Sequence, residues 1–104
     1  MTIDYADEKL MEAVHILATG SGRIQERLLD AAHVLIRLRP DNFPDGDLRR
    51  SFKGIVDDLT FEQPRENEGG IVASLRVTDD EDARAIARHI LDLYHAVNRL
   101  ISER

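Results

Sequence analysis

The sequence predicts an all-α fold, a small irregular bundle of three long helices plus a short helix or turn near 71–77. Three observations predict it. Apolar residues recur at three- and four-residue spacings through most of the 104 residues, the repeat that lines one face of a helix. Gly20, Pro40 and Gly69-Gly70 stand between these stretches, at places where helices end. Thr78-Asp79-Asp80-Glu81 matches the capping box, in which a threonine and a glutamate three residues on satisfy each other's backbone donors.

The first helical pattern covers 4–18, with Asp4 as N-cap and Leu10, Val14 and Leu17 on one stripe. Gly20 then reads as a C-cap free to take positive φ, and Ser21 as the N-cap of the next helix. That second pattern runs from about 22 to 39 through Ile24, Leu28, Ala31, Leu35 and Leu38, until Pro40 stops it. Leu29, Val34 and Ile36 widen its stripe beyond what one neighbour would cover. The third begins near Pro44, where Asp45 and Asp47 suit the positive end of a helix. Leu48, Phe52, Ile55, Val56 and Leu59 form its buried side. A polar linker follows, from Glu62 to Gly70.

Residues 71–77 alternate strictly through Ile71, Ala73, Leu75 and Val77, as a half-buried strand would. The alternative fold is therefore α+β, with a small hairpin at 59–63/71–77. An isolated two-stranded hairpin is marginal in water, which favours a short helix. In the last segment Ile86, Ile90, Leu93, Val97 and Leu100 repeat at spacings of three and four, led by Ala83. The core is expected around Leu28, Leu35, Phe52, Val56, Ile90 and Val97, in a single domain over 1–104.

Composition narrows the function. The chain is 42% hydrophobic and 33% charged, with a formal net charge of −6. That balance disfavours general affinity for nucleic acid or anionic lipid. It has no cysteine, which removes disulfides, thiolate chemistry and cysteine-ligated metals. No apolar run approaches the roughly 20 residues of a membrane span. MTIDYADEKL carries acids where a secretory signal would carry basic and apolar stretches, so a cytoplasmic location is expected.

TGSGRIQE, residues 19–26, is the stretch that most resembles an anion site, with Ser21, Gly22 and Arg23 as candidate ligands at a helix N-terminus. It lacks the lysine and the preceding strand of the phosphate-binding glycine loops. Gly20-Ser21-Gly22 is likewise not a nucleophile elbow, because a helix precedes it. Glu12/His15, Asp30/His33 and Asp92/His95 repeat the carboxylate-x-x-histidine spacing of di-iron bundles. On a helical wheel His33 lies about 170° and His95 about 140° from the apolar centres of their helices, so these pairs face outward. No metal or other cofactor is expected.

Arg49, Arg50 and Lys53 lie off the apolar side of the third helix and form the nucleic-acid alternative. Asp41, Asp45 and Asp47 interleave with them and leave few net charges for phosphates. Apolar residues off the main faces, Leu29, Ile36 and Leu91, mark the candidate interaction surface. The expected function is that of a small non-catalytic cytoplasmic interaction or regulatory module that binds a protein partner or associates with itself as a homodimer. The alternatives are an enzyme or phosphate-ligand-binding protein using the 19–23 turn, and a nucleic-acid-binding protein using residues 49–53.

Overall fold

The computed structural model describes residues 2–104, and among them there are helices and no strands. In chain order they are α1 (Ile3–Thr19), α2 (Ile24–Leu35), a 3-10 turn (Pro40–Asn42), α3 (Asp47–Leu59), α4 (Gly70–Arg76) and α5 (Asp80–Ser102). Four of these helices are twelve residues or longer, one more than the expected three. The radius of gyration, 13.4 Å, is close to the roughly 13 Å of a compact domain of this length.

α5 is the spine, and α1 and α3 flank it. Its buried residues Ala83, Ile86, Ile90, Leu93 and Val97 follow the expected three-four repeat. α1 buries Ala6, Leu10 and Ala13, and α2 buries Leu28, Ala31, Ala32 and Leu35. Alanines on both helices let their backbones approach closely. Of the expected core residues, Leu28, Leu35, Phe52, Ile90 and Val97 are buried, while Val56 packs half-buried at the edge.

The helix ends differ from the pattern, each for a local reason. The N-cap position of α1 is Thr2, without a side-chain cap bond, rather than Asp4, which falls in the first turn. α2 ends at Leu35, short of the expected 39, and a turn at Ile36 and Arg37 leads to Arg39, which is extended as the residue before a proline must be. The backbone N–H of that residue, Arg39, donates instead to Asn42 Oδ1 at 2.8 Å. The chain then turns inward, burying Phe43 in a stack on Phe52 with ring centroids 4.8 Å apart. α3 starts at Asp47, after Gly46 takes φ 116°, a conformation that only glycine adopts cheaply.

Residues 70–76 are a helix, so the hairpin alternative is not what forms. Ala73, Ser74 and Leu75 are buried in succession, which an alternating strand cannot do. Ser74 makes this possible: its hydroxyl donates to Gly70 O at 2.9 Å and accepts from the Glu62 N–H at 3.0 Å. The polar linker is tied down again by Glu68, whose carboxylate receives both Arg76 Nε and Nη2 at 3.1 Å.

The cap of α5 sits one residue later than the capping-box motif implies. Asp79 is the N-cap, and its Oδ1 accepts from the Asp82 N–H at 2.8 Å. Thr78 instead donates its hydroxyl to Ser74 O at 2.6 Å, which closes α4. An aspartate reaches the third N–H of a helix as well as a threonine does, and Thr78 is buried where α4 needs it.

Candidate functional site

The 19–26 turn has its own anions. Gly20 is at φ −67°, so it is not a left-handed C-cap, and the positive-φ glycine is Gly22, at 91°. Ser21 is not the N-cap either; α2 starts at Ile24 behind Arg23. The Arg23 N–H reaches Glu26 Oε1 at 3.4 Å, and the same carboxylate lies against the open side of Gly22. The Arg23 guanidinium faces Asp80 Oδ1 at 3.5 Å. Asp80 is held below the ordinary carboxylate range, chiefly by the hydrogen bond from Gln25 and then by Arg23. Ser21, Gly22 and Arg23 thus form an exposed helix start at which two carboxylates stand where a bound anion would.

The basic set is similarly engaged. Arg49 Nη2 donates to Phe43 O at 2.8 Å, and its guanidinium lies 3.8 Å from Asp45. Arg50 pairs with Asp47 one turn away. Lys53, one turn on from Arg49 and Arg50, takes part in no ion pair among the described residues and lines a hollow between the 36–40 segment and α3.

Leu29, Ile36 and Leu91 do not share one surface. Ile36, 60% exposed, lines the hollow of about 340 Å³ between the 36–40 segment and α3 with Leu38, Phe52 and Val56. Leu29 lines a separate hollow against α4 with Val72 and Leu75. Leu91, 38% exposed, points about 160° away from His89 around α5. The carboxylate-histidine pairs do not converge, and no group of three or more His, Asp or Glu suited to a metal occurs among the described residues.

A wide concavity lies away from these candidate residues, along α3 and α5. Between α3 and α5 runs a groove of about 640 Å³. Asp47, Ser51, Gly54 and Asp58 line it from α3 at spacings of four, three and four; His89, Asp92 and Ala96 line it from α5. Leu48, Ile55 and Leu93 form its floor. A second hollow of about 220 Å³ continues it, sharing Asp58 and His89 and ending at Phe61 and Val77, which are 61% and 46% exposed. Leu100, expected in the buried stripe of α5, is 40% exposed and follows Ala96 by one turn.

One residue of α3 signals this groove. Glycine inside a helix costs about 1 kcal/mol relative to alanine, and Gly54 sits mid-helix. A Cβ placed there meets no atom within 4 Å, so the packing of the monomer does not call for glycine. The lining also brings together Ser51, His89 and aspartates. Past the first turn of α3, however, the lining backbone N–H groups of α3 and α5 are bonded within their helices. An acyl-transfer site needs free donors aimed at an oxyanion, and beyond that first turn the described walls offer no free backbone N–H.

No helix among the described residues is long and apolar enough to cross a membrane. Neither a protein-family model, nor a curated protein, nor a solved structure matches this chain.

Proposed function

We propose that this protein is a non-catalytic interaction module, and that the α3–α5 groove is where a protein partner docks. The observation that carries the reading is Gly54, a helix-weakening residue whose only evident use is to leave room beside α3. Ser51 keeps the same wall low and Ala96 the facing one, as small residues do where helices approach one another closely. Phe61 and Val77 leave apolar surface at the end of the groove, and contiguous apolar surface of this kind marks contact sites. Ile36 and Leu91, among the exposed apolar residues elsewhere with Met11 and Val72, keep a second contact, including a homodimer, as a subordinate reading.

A photo-crosslinking amino acid at Ser51, with the same group at exposed Glu8 on α1 as control, tests the proposal in living cells. The expected result is one recurrent protein product from position 51, mapped to one segment of the partner and absent from position 8. Indistinguishable products from the two positions would remove the groove as the docking site.

A further inference from the structure

We infer that the segment received by the α3–α5 groove is a cationic amphipathic helix, about four turns long, supplied by a partner protein. This rests on the docking reading above and adds the chemistry of the occupant.

Shape sets the length. The 13 residues of α3 run about 20 Å at about 1.5 Å per residue, and the groove follows that helix from Asp47 to the turn at Phe61. Its lining repeats at helical spacing on both walls, so a third rod laid between α3 and α5 meets a regular row of side chains rather than a closed pocket. An extended peptide would leave its backbone donors and acceptors unpaired against these walls, because the backbone there is already bonded within helices. A helix brings its own backbone hydrogen bonds satisfied.

Charge sets the sign. Asp47, Asp57, Asp58, Asp82 and Asp92 line the two connected hollows, and neither lining contains a lysine or arginine. Of the five, Asp47 is paired with Arg50, and the other four take part in no ion pair among the described residues. The apolar floor between these rims asks for an apolar stripe, and the rims ask for lysine or arginine on either side of it. Complementary charge of this kind steers association and rejects acidic partners. The same field repels nucleic acid and anionic membrane surfaces.

The test is an NMR titration of the protein with an amidated helical peptide of about 16 residues, leucines in a three-four stripe and arginines on both flanks. A twin carrying glutamate for arginine is the control. The expected result is amide shifts concentrated at Ser51, Gly54, Ile55, His89 and Ala96 with the arginine peptide and none with the glutamate peptide. Binding should weaken about tenfold in the exposed D58N/D92N double variant and again as salt rises from about 50 to 300 mM.

Equal binding by both peptides would overturn the cationic inference while leaving a helix-docking groove in place. Shifts spread equally over the acidic exposed face of α1 would overturn it as non-specific attraction. Silence from both peptides together with a specific crosslink from position 51 would overturn only the choice of occupant. Silence in both experiments would remove the docking reading itself. A concentration-dependent rise in mass of the protein alone, abolished by D58N/D92N, would place a second copy in the groove instead.

Discussion

α5 is flanked by α1 on one side and α3 on the other, and the two sides are built to opposite rules. On the α1–α2 side, Ala6, Ala13, Ala31 and Ala32 point inward and are fully buried together with Leu10 and Leu28. On the α3 side, the small residues Ser51, Gly54 and Ala96 line an open groove. Small side chains therefore serve two purposes here. Turned toward a neighbour they close an interface, and turned away from one they hold a space open. The difference separates surface that completes the monomer from surface that it leaves unused.

Truncation should show the contrast most strongly. Leu28→Ala, within the closed side, is expected to cost about 2–5 kcal/mol in urea denaturation. Leu48→Ala, half-buried beside the groove, should cost only about 1 kcal/mol. Equal losses would mean that the groove is filled by the chain itself in solution.

Added volume should separate the two sides next, and in sign. Ala13→Leu forces methyl groups into a packed interface and should destabilise by about 1–3 kcal/mol. Gly54→Ala meets open space and should raise the unfolding free energy by about 0.5–1 kcal/mol. A destabilising Gly54→Ala would mean that α3 needs the glycine for itself and would weaken the docking proposal.

The smallest effect concerns pH and the segment that joins the two sides. Glu68 is held below its ordinary range, first by the Arg76 side chain and then by the Arg65 N–H. A carboxylate whose folded pKa lies below its unfolded value stabilises the fold above the unfolded value, near pH 4. That contribution is lost as pH falls through the folded value. Arg76→Gln should therefore lower the melting temperature at pH 6, and the difference from wild type should shrink toward pH 2.5. A constant difference across that range would show that Arg76 acts through packing alone.

Much of the helical framework was legible in the residues because one period ran through it. Ile86, Ile90, Leu93 and Val97 keep a three-four repeat along the whole of α5, and a repeat that long has no other regular conformation that buries one face. The caps were less legible. Thr78 and Asp79 are both competent caps, and the choice fell to Asp79 because Ser74 O takes the Thr78 hydroxyl. Residues 71–77 show the same limit: their alternation resembles a strand until Ser74 finds partners at Gly70 and Glu62. The candidate ligands Ser21 and Arg23 and the basic pair Arg49 and Arg50 were visible as residue types. Their engagement was not, since Asp80 lies 57 positions from Arg23 in the chain, and a turn's local sequence does not name its distant neighbours.

By itself the sequence determined that this chain is helical, where its main breaks fall, and which stripe of each long helix turns inward. Those properties follow from local propensity and from the period of the apolar residues, both of which are carried along the chain. The tertiary structure alone decided which polar faces meet. Asp57 and Asp58 on α3 lie beside a groove bordered by His89 and Asp92 of α5 only because the helices pack at a particular angle and offset. A solvated face and the wall of a groove have the same composition, and what distinguishes them is the position of the second helix.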